Sequence, residues 1–263
     1  MTRNTGVLVA VLASVVFLGW TLPAASADEA VDKAFETLKT YDWGQDRAAL
    51  GAVDAAVAAS HDDEAAQKDL AARLAAVLGT DVSGAAKDFV CRALSLVGSA
   101  DSVPALAPLL TDEKLSHMAR YALERIPDAA AVAALREAVA KTSGRAKVGV
   151  INSLGVRRDA ESVSTLVGLL EDSDAEIAGA AAAALGAVGS AEAAKALEAF
   201  QTKAPESLRL TAADAYLTCA ERLLADGKKA EALAIYKALS TPEQAKHVRL
   251  AAMRGLLAAT GKE

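Results

Sequence analysis

The chain has 263 residues, 28 of them Lys or Arg against 34 Asp or Glu, for a net charge of −6. That sign disfavours nucleic acid and anionic lipid as partners, since both select a basic footprint. The length admits two ordinary domains or one elongated one, so hydrophobic periodicity has to choose.

Residues 1–27 have the order of a signal peptide. One early base (Arg3) precedes an apolar run from Val7 to Leu18, then the breaker Pro23 and Ala25-Ser26-Ala27, small residues at the spacing signal peptidase accepts. The run is shorter than the roughly 20 residues a membrane helix needs, and no Cys follows it to carry a lipid. The expectation is cleavage before Asp28, which removes one Arg and no acid and leaves a charge of −7. A secreted or periplasmic location follows, with no membrane association after cleavage; an uncleaved N-terminal anchor is the alternative.

Residues 28–64 predict a helical pair that turns near Trp43-Gly44. Trp43 is either a ligand platform or, as expected here, a cover packed over the open end of the first repeat. His61-Asp62-Asp63-Glu64 has metal-ligand residue types, but it immediately precedes a helix, where acids offset the helix dipole; the second reading is preferred.

Residues 65–200 repeat. VCRALSLVGS, RYALERIPD, INSLGVRRD and AAALGAVGS align on Leu94, Leu123, Leu154 and Leu185, at intervals of 29, 31 and 31 residues. Leu106, Leu135, Leu166 and Leu197 keep the same rhythm, and two columns with one period mean a two-element unit. In the first element SVPALAPLL, Ser102 can cap, Pro104 suits the first turn, and Val103, Leu106, Leu109 and Leu110 share a side. In the second, Leu115, Met118, Ala119, Ala122, Leu123 and Ile126 form one helical stripe. Gly98, Pro127 and Gly189 read as stops, each followed by a capping residue, Ser99, Asp128 or Ser190. The third copy departs, with Arg158 at the stop. The acidic linkers TDEK and EDSD suit the helix starts that follow them.

Residues 201–263 are looser. Leu217 and Leu256 are the expected continuations of the Leu column, and Cys219 to Leu239 has the small-residue and Tyr spacing of a TPR-like pair. No strand-period run occurs, so the fold is all-α.

DSDAEIAGAAAAALGAVGS resembles the second helix of HEAT-like repeats, including the type named after phycobilisome (bilin) lyases, and the Pro108 kink is similar to a HEAT first helix. With YDWGQDRAAL and LSHMARYALERIP as its most distinctive strings, the mature chain resembles secreted bacterial HEAT-repeat proteins. The resemblance implies a right-handed α-solenoid of stacked helical hairpins whose second helices line a concave surface. Two departures stand out. Ala178 occupies a position where such repeats often carry Arg. HEAT-type hydroxylases bind iron through His-Glu pairs, whereas the His residues here are followed by Asp62, Met118 and Val248.

On a helical wheel, His117, Arg120, Tyr121 and Glu124 lie opposite the buried stripe. Equivalent positions are Asp88, Arg92 and Ser95 in the preceding repeat and Val148, Ile151, Asn152 and Gly155 in the next. The following repeat offers only Gly179, Ala182, Ala183 and Gly186. This is either a mixed polar, aromatic and apolar patch for a protein or peptide, or an inert, partly packed groove. His117 and Met118 point different ways, which makes a metal or haem site using both a poor one.

EDSDAE lacks the Gly and Glu of a calcium loop. No phosphate loop, dinucleotide fingerprint or nucleophile elbow occurs. Cys91 and Cys219 lie four units apart in helices that stack about 8–10 Å per layer, too far for a bridge, so two free shielded thiols are expected. The sequence therefore reads as a monomeric, non-enzymatic interaction scaffold that needs no metal or cofactor. The alternatives are a lyase-like enzyme or subunit using Cys91 at the margin of the exposed face, and a spacer cut from a larger secreted protein.

Overall fold

The computed structural model describes residues 24–261. The expected leader therefore lies outside the described residues, except for its last four, which begin the first helix. Fourteen α-helices are described, with no strand among them. They pair as α1 (Ala24–Leu38) with α2 (Gly51–Ala59), α3 (Glu64–Leu78) with α4 (Gly84–Val97), and α5 (Val103–Leu106) with α6 (Ser116–Leu123). There follow α7 (Ala129–Lys141) with α8 (Gly144–Val156), and α9 (Val163–Leu169) with α10 (Ala175–Val188). The stack ends with α11 (Ala191–Lys203) on α12 (Arg209–Ala225) and α13 (Lys229–Leu239) on α14 (Lys246–Thr260). The second helix of each pair packs on the second helix of the next, from α2 through α14. The chain is an α-solenoid.

Local chemistry sets the boundaries. Asp63, Ser83, Asp128, Asp174 and Ser190 each accept a hydrogen bond from a first-turn N–H of the following helix, satisfying donors that have no partner within the helix. Asp63 is thus the cap of α3. Ser102 does not cap α5. Ser99 caps the 3-10 turn that precedes it, and the buried Ser102 hydroxyl accepts from the Ser99 N–H. The first helix of that unit stops after Leu106 and continues as a 3-10 turn through Pro108, whose ring cannot join the α-helical ladder. At the stops, Gly189 adopts φ +67° and Arg158 φ +51°. Arg158 thus takes the left-handed conformation that glycine takes in the next repeat.

All eight Leu of the two repeating columns are fully buried. Beyond them the column continues at Tyr216, buried, and not at Leu217, which is half-buried. The 31-residue step simply persists, and the aromatic ring fills the Leu site. Leu256 is likewise only half-buried, while Val248, Ala252 and Ala259 make the buried side of α14.

The second helices approach closely because their contacts are glycine and alanine. A Cβ placed on Gly155 would lie 2.9 Å from the Ala184 Cα, and one on Gly186 would lie 2.4 Å from the Ala215 carbonyl oxygen. The first helices touch one another over shorter stretches. The more closely spaced row is therefore that of the second helices, with α4, α6, α8, α10 and α12 at its centre. Helix α8 is shared between two halves of the core: Val150 and Leu154 pack toward the N-terminal half, Ile151 toward the C-terminal half.

The departing third turn works as a polar staple. Arg157 donates to the carbonyls of Glu124 and Ile126 at 3.1 and 2.8 Å, satisfying acceptors left at the end of α6. Arg158 reaches two layers forward to Asp226 at 2.5 Å. Arg136 faces Asp159 and Glu161. Asp226 is held below the usual carboxylate range, first by the Arg158 hydrogen bond and further by neighbouring positive charges.

Candidate functional site

The sequence-derived patch divides into two parts. One is an exposed cluster on α4 and α6. Arg92 Nε donates to Asp88 at 2.8 Å, its guanidinium stands 5.5 Å from the Tyr121 ring centroid, and that of Arg125 stands 3.7 Å from it. Arg125 also donates to the Tyr121 carbonyl at 2.9 Å, which fixes the closer of the two guanidiniums. The Asp88 hydrogen bond and charge raise the Arg92 pKa, so this cation is held firmly. Tyr121, His117 and Asn152 are exposed.

The other part is structural. Arg120 is half-buried, and its guanidinium occupies the space where a side chain on Gly149 would be, 2.6–2.7 Å from an added Cβ. It donates to the Gly149 carbonyl at 3.2 Å, and burial lowers its pKa. Glu124 is half-buried and accepts from Ser153 Oγ at 2.6 Å. Both residues were expected on the open face; each instead ties α6 to α8.

Ile151 was also expected on that face and is fully buried. The close approach at Gly155 brings α10 over it, and Val148 is half-buried against the same core. Cys91, expected at the margin of the exposed face, is fully buried as well. Burial pushes its thiol up to about 12 and that of Cys219 up to about 11; both are free. Trp43 does not cover the first repeat: the residue is 66% exposed.

The sequence reading missed a second exposed row. Leu96 and Val156 are 71% and 64% exposed, and Arg125 lies between them at the equivalent place, two residues after each aligned Leu. The face thus carries two parallel rungs, Arg92–Tyr121–Asn152 and Leu96–Arg125–Val156, on α4, on α6 and the turn that ends it, and on α8. The position two after the column was readable from the alignment. On each helix it lies four residues after the first rung, and so on the same face.

Apolar side chains flank a cation–aromatic cluster here, an arrangement suited to holding a chain segment with matching apolar and acidic groups. Among the described residues, no group of three or more His, Cys, Asp or Glu is placed to hold a metal ion.

The family profile described as HEAT repeats matches residues 142–216, from the start of α8 into α12. Among solved structures, human deoxyhypusine hydroxylase in complex with glycerol is similar at 17% identity and a TM-score of 0.36, covering 90% of this chain and 98% of that one. No curated protein matches the sequence.

Proposed function

We propose that this helical-repeat chain is a non-enzymatic scaffold that binds a protein or peptide segment across α4, α6 and α8. The observation that carries the reading is the pair of exposed rungs at equivalent repeat positions, Arg92–Tyr121–Asn152 and Leu96–Arg125–Val156. Tyr and Arg are the side chains that most often anchor interfaces. The two exposed branched residues supply apolar contacts that a solvated face would not otherwise carry. His117 and Asp88 border the first rung, and the half-buried Arg120–Ser153–Glu124 network ties the layers together beneath it.

The same reading places the chain outside the cytoplasm, on the strength of the leader-like residues 1–27, and as a monomer free of the membrane. In the described residues no helix is long and apolar enough to cross a bilayer. The lyase-type alternative draws no support from Cys91, which would have to be an exposed thiolate.

The test compares wild type with an Arg92→Ala, Tyr121→Ala double variant in selection from a random-peptide display library, followed by measured affinities of the selected peptides. Selection of a consensus joining apolar and acidic positions, with binding at least tenfold weaker in a variant of unchanged helicity, supports the reading. Equal binding by the two proteins refutes it.

A further inference from the structure

Three successive turns, each joining the first helix of a unit to its second, meet at one edge of the solenoid: residues 40–46, 79–83 and 112–115. Each is held by its own hydrogen bonds. Ser83 Oγ donates to the Tyr41 carbonyl at 2.5 Å, tying the first turn to the second. Asp112 Oδ1 accepts from the N–H groups of Lys114 and Leu115 at 2.8 and 3.0 Å. In the first turn Gly44 takes φ +86°, and the Trp43 N–H donates to Asp42 Oδ1 at 2.8 Å. The indole is therefore presented to solvent from an ordered turn.

Between these turns lies a cavity of about 360 Å³. Trp43 stands at its rim, Val82, Leu115 and Met118 supply apolar wall, and Lys87 and Lys114 supply charge. Among the described residues neither ammonium lies within ion-pair distance of a carboxylate. Asp112, the one acid in the lining, commits an oxygen to two backbone N–H groups. An apolar-walled recess with an exposed indole and two unpaired cations selects a ligand that is flat and apolar at one end and anionic at the other. The volume sits near the lower bound for small-molecule sites, about 300 Å³, which limits the body to one or two rings.

We propose that this cavity binds a small organic anion of that class, an aromatic carboxylate, with its ring against Trp43 and its charge toward Lys87 and Lys114. The site joins YDWGQDRAAL to LSHMARYALERIP, segments about 70 residues apart in sequence, which only the stacking of units brings together. It is independent of the peptide-binding rungs.

The test titrates the full chain with naphthalene-2-carboxylate and with the uncharged naphthalene-2-carboxamide, read by saturation-transfer NMR and calorimetry. The carboxylate is expected to bind about tenfold more tightly than the amide, the ratio one charge-assisted contact supplies. A Lys87→Ala, Lys114→Ala double variant brings the carboxylate to the amide's affinity and leaves the amide unchanged. Trp43→Ala weakens both probes; should that variant lose helicity, Trp43→Leu, which keeps apolar bulk, takes its place. No transfer from either probe at about 1 mM, equal affinity for the two, undiminished carboxylate binding in the double Lys variant, or unchanged binding without the indole each overturn the proposal.

Discussion

Replacing Gly186 by Ala should destabilise the protein, although helix propensity alone argues the reverse. Gly186 lies in the last turn of α10, two residues before Val188, where Ala is intrinsically better than Gly by up to about 1 kcal/mol. The added methyl carbon, however, would lie 2.4 Å from the Ala215 carbonyl oxygen and 3.1–3.2 Å from the Ala215 carbonyl carbon and Cα. The obstacle is helical backbone in α12, which has no rotamer to change. Relief therefore requires α10 and α12 to move apart by about 1 Å, loosening the contact between these two buried helices. Overpacking of this kind costs about 1–3 kcal/mol, and a rigid obstacle places it in the upper half of that range, so the net loss is about 1–2 kcal/mol. Gly168, inside α9 with nothing within 4 Å of an added Cβ, is the control. There the same substitution should stabilise by about 0.5–1 kcal/mol. Thermal and urea unfolding of both variants should show opposite shifts, with Gly186→Ala lowering Tm by about 2–6 °C. Amide exchange should accelerate across α10 and α12 in that variant. A Gly186→Ala protein as stable as wild type would refute the claim that glycine sets the spacing of the second-helix row.

At position 158, Arg158→Gly should be more stable than Arg158→Ala by about 1 kcal/mol, because both lose the Asp226 contact but only Gly accepts the left-handed backbone without strain; equal unfolding midpoints would refute this. Asp226 is held below its usual pKa when folded, so its contribution is present above the ordinary carboxylate range and is lost as pH falls through and below it. Asp226→Asn should flatten that acid-side loss, seen in unfolding midpoints against pH. Cys91 and Cys219, with thiols pushed up to about 12 and about 11, should resist a thiol reagent at pH 8 in the native protein and react on unfolding. Because the folded state retains both protons, stability should also decline as pH rises from 9.0 toward 12. Fast native labelling would show that the repeats open locally at those helices.

The unit of construction is written in the order of residues alone. The columns at Leu94 and Leu106 step by 29 and 31 residues, and a helix buries one stripe whatever its neighbours are, so the hairpins, the caps Ser99, Asp128 and Ser190 and the eight column Leu were legible without coordinates, whereas Ser102 as a cap and the continuation at Leu217 and Leu256 were misplaced. Arg158 at a glycine position already marked the departing turn. The distance between helices, by contrast, is fixed by packing across the stack. A helical wheel treats each helix as having one buried side, yet α8 packs against α6 on one flank and α10 on the other. Ile151 is therefore closed over, while Asn152, one residue on, stays open. Arg120 and Glu124 look solvated on the wheel and turn inward because Gly149 leaves room and Ser153 offers a partner. Leu96, Arg125 and Val156 share one column offset that the alignment already held, and the structure shows that all three are exposed. Trp43 and Met118 came to share a cavity because stacking aligns turns that lie far apart in sequence. Periodicity is a property of one helix; the surface that meets a ligand belongs to the gaps between several, and those gaps are set by which residues lack a side chain.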